Sequence, residues 1–188
     1  MNDDLVYEVR SVWAHGRFAE TDPVIDALFL FRGGTQFADV IDLLVGSFED
    51  PGKSGVAGWS RLTDALATNA GLAFEVLLKS YVVANGAEFS RLSREFGHDL
   101  TALLSAANQQ GAKLAPTTVN TIQTIGADVF VIGSEAPVKW HLGYRYKRPG
   151  GHRLCLPEDT LKAVKEVHAM AGVTVLEKLR AANLRSLA

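Results

Sequence analysis

A stretch near the C-terminal third of the chain concentrates basic and aromatic side chains. Between Pro137 and Leu156 these are Lys139, Trp140, His141, Tyr144, Arg145, Tyr146, Lys147, Arg148, His152 and Arg153. Cationic side chains hold phosphates and aromatic rings stack on bases, so this extended loop is a candidate RNA or nucleotide surface, centred on Arg145, Tyr146, Lys147 and Arg148. The alternative is a loop whose rings pack onto helices while its charges stay solvated.

His98 is a candidate catalytic residue, because an imidazole can exchange protons near neutral pH. It lies in Gly97-His98-Asp99-Leu100, directly before apolar residues at helical spacing. If the chain cleaves RNA, His98 would be the general base or acid at the 2′-hydroxyl. Arg91 or Arg94 would stabilise the charge that develops on the phosphate. The alternative is structural, with Asp99 capping the helix that begins here.

The longest predicted helix precedes His98 in the chain and is expected to be a core helix. Apolar residues recur every three or four positions and therefore gather on one helical face: Trp59, Leu62, Leu66, Ala70, Ala73, Leu77 and Tyr81. Glu75 and Lys79 lie on the opposite stripe, in the order that favours an ion pair between residues four apart. Gly71 weakens the middle of the helix, so packing against other helices must stabilise it.

Short motifs in this region resemble the HEPN-like (higher eukaryotes and prokaryotes nucleotide-binding) proteins. They are NAGLAFEVLLKS at residues 69–80, Gly97-His98-Asp99-Leu100, and Tyr144-Arg145-Tyr146. The resemblance covers residues 59–146. It implies an up-down helical bundle, a homodimer, and a role as a ribonuclease or as a partner in toxin–antitoxin and phage-defence systems. It also implies that Arg145 packs near the Gly97-His98-Asp99-Leu100 helix start, where it pairs with Asp99 or Glu75.

The ribonuclease motif of that family is an arginine, a short spacer and a histidine, with a polar residue usually following the arginine. Arg91 and His98 match the motif with six residues between them. Leu92 departs from the polar preference, and Arg94 lies too close to His98 to match. If the protein is an active ribonuclease, the resemblance implies that Arg91 and His98 are its catalytic residues. The departure at Leu92 favours instead a HEPN-like bundle that does not cleave RNA.

Further helices are expected on both sides of this region. One group of apolar residues runs from Leu5 to Trp13. A second helix is expected to begin at Thr21-Asp22-Pro23, which supplies an N-cap residue followed by proline at the first helical position. Gly33-Gly34 is expected to end that helix, and a third is expected from Thr35 to Val45. Residues 24–31 are apolar enough that a buried strand is the alternative. Residues 49–55 are rich in breakers and predict a loop.

The C-terminal half continues this helical pattern. Helices are expected after Pro116 and after Pro157, where acidic residues occupy the first turn. Residues 129–132 either end the first of these helices or form a short buried strand. Gly172-Val173-Thr174-Val175 is expected to weaken the middle of the last helix and to kink it or split it into two helices. The fold class is therefore mainly α: a single domain over residues 1–188, built as an up-down bundle of four to six helices with one basic and aromatic loop.

Composition narrows the function classes. The 188 residues carry a formal charge of −2, so binding of RNA would depend on a local patch rather than on bulk charge. One cysteine, Cys155, cannot form an internal disulfide, and the acidic start Met-Asn-Asp-Asp is unlike a secretory signal. The sequence contains no run of about 18 apolar residues, so no membrane span is expected. A cytoplasmic location is expected.

Several chemistries have no support in the sequence. The five histidines and the cysteine lack metal-ligand spacing, so no metal and no cofactor is expected. Glycine-rich phosphate-binding, dinucleotide and serine-hydrolase motifs are absent. The hypothesis is an RNA- or nucleotide-related role, with metal-independent RNA cleavage as its catalytic form. The alternatives are a dimeric helical module that docks a partner protein, and a small-molecule sensor with a pocket inside the bundle.

Overall fold

The computed structural model describes residues 3–16, 18, 22–48, 51–129, 138–139 and 156–185. Within these ranges the chain forms mainly helices. They are α1 (Asp3–His15), α2 (Pro23–Phe48), α3 (Pro51–Ala84), a 3-10 turn (Phe89–Arg91), α4 (Leu92–Glu95), α5 (Leu100–Gln109), α6 (Pro116–Ile125) and α7 (Pro157–Arg185), with two short strands, β1 (Asp128–Val129) and β2 (Val138–Lys139). The mainly-α fold class is confirmed.

The three longest helices, α2, α3 and α7, pack against one another and form the centre of the bundle. Helix α1 lies against α7, while α5 packs on α3 and α6 packs on α7. The predicted apolar face of α3 is buried at Leu66, Ala70, Ala73, Leu77 and Tyr81. Burial of these side chains removes apolar surface from water, which is the dominant favourable contribution to folding.

Part of α3 is also long and apolar enough to cross a membrane by composition, which the sequence analysis did not expect. This part is Leu62–Ala84, with a mean hydropathy of 1.2 in its most apolar window. In the structure 72% of that window is buried inside the protein. A core helix surrounded by other helices has the same composition, so burial accounts for this apolar run.

The prediction that Gly33-Gly34 ends a helix is wrong, because α2 continues through both residues to Phe48. The reason lies in the packing of α2 on α3. A Cβ atom at Gly34 would lie 2.6 Å from both Cγ and Cδ2 of Leu77. Glycine therefore lets the two helices approach closely, and the contact with α3 offsets the low helix propensity of the pair. The alternative of a buried strand at residues 24–31 is also wrong.

The predicted loop at residues 49–55 is wrong from Pro51 onward, because α3 begins at Pro51. Residues 49 and 50 lie outside the described ranges. Proline suits the first position of a helix, since its fixed φ angle is helical and the missing N–H has no partner there. The glycines at 52 and 55 fall in the first turns of α3, where helix breakers are tolerated better than in the interior.

The predicted break at Gly172 is wrong as well, because α7 is continuous from Pro157 to Arg185. A Cβ atom at Gly172 would lie 2.8 Å from Leu5 Cδ2 and 2.8 Å from Phe31 Cζ. Gly172 therefore marks the point where α1 and α2 both approach α7. The absence of a side chain is a packing requirement here.

Helix α6 depends on α7 for its N-terminal cap. Its own N-cap residue, Ala115, has no side chain that can accept a hydrogen bond. Glu166 of α7 accepts from Ala115 N at 2.7 Å through Oε1 and from the Thr118 hydroxyl through Oε2. A carboxylate from a neighbouring helix thus accepts from one N–H that the helix start leaves unpaired and from the Thr118 hydroxyl.

Helix α6 ends at Ile125. Val129 instead pairs with Val138, and Asp128 pairs with Lys139, in a two-stranded antiparallel ladder. Between the open alternatives for residues 129–132, the structure places Val129 in a strand. Residues 130–132 lie outside the described ranges.

Candidate functional site

The candidate site is built on the turn that joins α4 to α5. Gly97 closes α4 with a φ of +52°, a left-handed conformation that favours glycine, and its N–H donates to Ser93 O at 3.1 Å. Asp99 is the N-cap of α5 and accepts from Thr101 N at 2.9 Å and Ala102 N at 3.1 Å. His98 lies between these two fixed residues, so its backbone position is set from both sides.

Glu75 of α3 links His98 to Lys79. Its Oε2 lies 2.9 Å from His98 Nδ1, and its Oε1 lies 2.6 Å from Lys79 Nζ. The Lys79 ammonium also donates to Gly97 O at 2.8 Å. Only 5% of Glu75 is exposed, so this is a buried carboxylate within hydrogen-bonding distance of Lys79 and His98. The ion pair predicted between Glu75 and Lys79 is therefore present, and it forms part of a larger network.

The network orients the His98 imidazole. An ionised carboxylate only accepts hydrogen bonds, so a neutral His98 carries its proton on Nδ1, facing Glu75. The opposite nitrogen, Nε2, then has a lone pair, and no described residue donates to it. The His98 side chain is 56% exposed. A histidine held by a carboxylate, with its other nitrogen accessible, is the arrangement that a general base requires.

The structure does not join Arg91 to this network. Arg91 ends the 3-10 turn and forms an ion pair with Glu88, Nε to Oε2 at 2.7 Å, in which both side chains are more than half exposed. Arg94 lies in α4 and is also exposed. Exposed pairs of this kind contribute only about 0–1 kcal/mol, so Arg91 can exchange Glu88 for a phosphate at small cost.

The predicted RNA surface lies outside the described residues. This applies to Arg145, Tyr146, Lys147 and Arg148, and to the pairing of Arg145 with Asp99 or Glu75 that the HEPN-like resemblance implies. The candidate site as described therefore consists of Glu75, Lys79, Gly97 and His98, with Asp99 fixing the start of α5.

Sequence reasoning missed the contribution of the Gly97 carbonyl, since any backbone oxygen can accept and no residue type signals it. The structure also buries His168 of α7, which is 1% exposed. His168 Nε2 lies 3.0 Å from Thr35 Oγ1, and that hydroxyl donates to Phe31 O at 2.9 Å. Burial lowers the pKa of His168 to about 4. The imidazole is therefore neutral at physiological pH and is part of the core.

A small cavity lies between α6 and the start of α7. Its volume is about 150 Å³, and polar side chains line most of it, among them Asn120, Thr124 and Asp159. Sites for drug-sized ligands typically measure about 300–1,000 Å³ and are mostly apolar. This cavity therefore gives little support to the alternative of a small-molecule sensor.

The described residues contain no cluster of three histidine, cysteine, aspartate or glutamate side chains arranged to hold a metal ion. Comparison of the chain with protein-family models, curated proteins and solved structures finds no match.

Proposed function

We propose that this protein acts on RNA and cleaves it without a metal ion, as a HEPN-like domain. The observation that carries the proposal is the contact between His98 Nδ1 and the buried Glu75 carboxylate at 2.9 Å. This contact directs the lone pair of Nε2 away from the protein core, on a side chain that is 56% exposed. A polymer such as RNA can reach a base placed in this way.

In the proposed reaction, His98 Nε2 takes the proton of a ribose 2′-hydroxyl. The 2′-oxygen forms a bond to the adjacent phosphorus, and the bond from phosphorus to the 5′-oxygen of the next nucleotide breaks. The leaving oxygen takes a proton from solvent, and His98 then releases to solvent the proton that it accepted. The products are a 2′,3′-cyclic phosphate and a 5′-hydroxyl end, and no oxidant or metal is consumed.

Negative charge develops on the phosphate during this step and needs a cation. Arg91 and Arg94 both lie in the exposed segment just before Gly97, so either guanidinium is available to the substrate. A guanidinium can donate two parallel hydrogen bonds to a phosphate, which makes arginine better suited to this role than lysine. Arg91 would release Glu88 when it binds RNA.

The test is incubation of the purified protein with mixed structured and single-stranded RNA in the presence of EDTA. His98→Gln should reduce cleavage by roughly 10²–10⁴-fold, the usual contribution of general acid–base catalysis. His15→Gln is the matched control, because His15 is an exposed histidine on α1 whose Nδ1 lies 2.8 Å from Ser11 O. The proposal fails if His98→Gln cleaves as fast as the wild type.

A specific observation also favours the alternative of a dimeric interaction module. One face of α2 exposes Phe29, Val40 and Leu43, with Phe29 58% and Leu43 74% exposed. At 100° per residue these three positions lie on one side of the helix, centred on Gln36. Apolar residues grouped on an exposed helical face indicate a contact surface.

The same face is self-complementary. If a second copy packs its α2 antiparallel across a two-fold axis at Gln36, Phe29 lies opposite Leu43 of the second copy, and Leu43 lies opposite Phe29. Arg32 then lies close to Asp39 of the second copy. A two-fold interface uses the same patch on both subunits. In this arrangement the patch matches itself in its apolar pairs, Phe29 with Leu43, and in its charges, Arg32 with Asp39. We therefore propose a homodimer through α2.

A further inference from the structure

We infer that the proposed α2 dimer carries two separate sites, each complete within one subunit and facing away from the other subunit. This inference rests on the proposed function, since it combines the homodimer through α2 with RNA cleavage at His98. It follows from which side of α2 packs on α3 and from which side of α3 holds Glu75.

Helix α2 meets α3 on the side opposite the proposed dimer face. A Cβ atom at Gly34 would lie 2.6 Å from the Leu77 side chain, and the Ser80 hydroxyl of α3 donates to Ala27 O of α2 at 2.8 Å. Two residues turn a helix by about 200°, so Gly34 lies on nearly the opposite side of α2 from Gln36, the centre of the dimer face. Helix α3 therefore lies behind α2 as seen from the second copy.

Helix α3 in turn holds Glu75 on its far side. Leu77 faces α2, and Glu75 precedes Leu77 by two residues, so its carboxylate leaves α3 in nearly the opposite direction. His98 Nδ1 lies 2.9 Å from Glu75 Oε2, and Lys79 donates to Gly97 O at 2.8 Å. The turn that carries His98 is therefore attached to the side of α3 that faces away from α2 and from the dimer axis.

This order of layers separates the two sites. Packed helices lie about 8–10 Å apart, so the two α3 axes are roughly 25–30 Å apart across the paired α2 helices, and the two His98 turns lie beyond them. Arg91 and Arg94 belong to the segment that leads into His98 in the same chain. A phosphate at one His98 therefore meets an arginine of that subunit and none from the second copy.

The first test needs no RNA and measures the distance between two spin labels in the full chain. Ser105→Cys/Cys155→Ser leaves one cysteine to label, on the exposed side of α5, which begins just after His98. Pulsed electron paramagnetic resonance should find the two labels of a dimer roughly 30 Å or more apart. A shorter distance overturns the inference.

Val40→Cys/Cys155→Ser is the matched control for the label. Val40 is 39% exposed and lies on the dimer face of α2. In the antiparallel arrangement its two labels should lie only roughly 15 Å apart, from the helical rise along α2 and the spacing of packed helices. A long distance here would show that the copies meet through another face, which also overturns the inference.

RNA cleavage tests the same arrangement through activity. Because each site is complete in one chain, Leu43→Lys, which separates the subunits, should cleave RNA at the wild-type rate per chain. A site shared between subunits would instead lose roughly 10²-fold or more on dissociation, since it would lose a group that stabilises the transition state. A loss of that size overturns the inference.

A mixture of two inactive variants gives an independent check. His98→Gln and Arg91→Ala/Arg94→Ala should stay inactive together, because no subunit in the mixture has both the histidine and an arginine. A shared site would be complete in a mixed dimer, with His98 from one copy and an arginine from the other. Recovery of cleavage in the mixture therefore overturns the inference.

The readouts distinguish failure of the inference from failure of the proposals that it combines. If the wild type cleaves no RNA but the Ser105 labels are far apart, RNA cleavage fails and the arrangement of the two turns stands. If it cleaves RNA and the labels are close, cleavage stands and the inference fails. A monomeric wild type refutes the dimer and the inference together and leaves RNA cleavage unaffected.

Discussion

At the scale of single residues, the protein contains two histidines with opposite properties. His98 is exposed and held by a buried carboxylate, while His168 is buried and held by a neutral hydroxyl. An apolar core disfavours an imidazolium. The first environment suits proton transfer with a substrate, and the second makes His168 a source of acid sensitivity.

The burial of His168 predicts a pH dependence of stability. Its folded-state pKa of about 4 lies below the ordinary value of 6.5, so the unfolded chain binds more protons between these two values. The contribution of the neutral His168 to the stability of the fold is therefore fully present above about pH 6.5 and is lost as the pH falls toward 4. The full difference in pKa corresponds to roughly 3 kcal/mol of the free energy of unfolding, of which roughly 2–3 kcal/mol is lost between about pH 7 and pH 4.

The measurement is urea unfolding of the wild type and of His168→Gln at about pH 7 and pH 4. Glutamine can still hydrogen-bond to Thr35 but does not titrate, and carboxylates common to both proteins cancel in the difference. The wild type should lose roughly 2–3 kcal/mol more than the variant on acidification. Equal losses would show that His168 does not titrate as its burial requires.

At the scale of elements, close helix packing explains the glycines that the sequence analysis interpreted as breaks. Gly34 lies on the side of α2 that faces Leu77 of α3, and Gly172 lies where α7 meets α1 and α2. In both cases the contact partner is distant in sequence. Gly97, by contrast, ends α4 through its own positive φ angle, which is a local property of the chain.

This difference predicts opposite effects for two glycine substitutions in α2. Gly34→Ala places a methyl group 2.6 Å from the Leu77 side chain and should reduce the free energy of unfolding by roughly 1–3 kcal/mol. Gly46→Ala meets no atom within 4 Å and should raise it by roughly 0.5–1 kcal/mol through helix propensity. Chemical denaturation of both variants checks the pair. A stabilising Gly34→Ala would contradict the close approach of α2 and α3.

At the scale of the whole molecule, the exposed apolar face of α2 predicts the oligomeric state. Leu43→Lys should convert the proposed dimer into a monomer, because it places two charges in the interface, one from each copy. Leu184→Lys is the matched control, since Leu184 is 69% exposed but lies on α7. Sedimentation equilibrium over a range of concentrations measures the change. A wild type that is monomeric throughout that range would refute a dimer through α2.

The sequence by itself determined the features that depend on neighbouring residues. Periodic apolar positions predicted the buried face of α3 from Leu66 to Tyr81, and Gly97-His98-Asp99 marked the start of α5. The spacing of Glu75 and Lys79 predicted their ion pair. These are local properties, because helical geometry alone places residues three and four apart on one face.

Tertiary structure decided how these local features combine. Glu75 and His98 are 23 residues apart, and only the packing of α5 on α3 brings the imidazole to the carboxylate. The same holds for Thr35 and His168, which meet across α2 and α7. Periodicity shows which face of a helix is buried but not which helix covers it. For this reason the sequence pointed to His98 as a candidate, while the structure supplied the carboxylate that orients it.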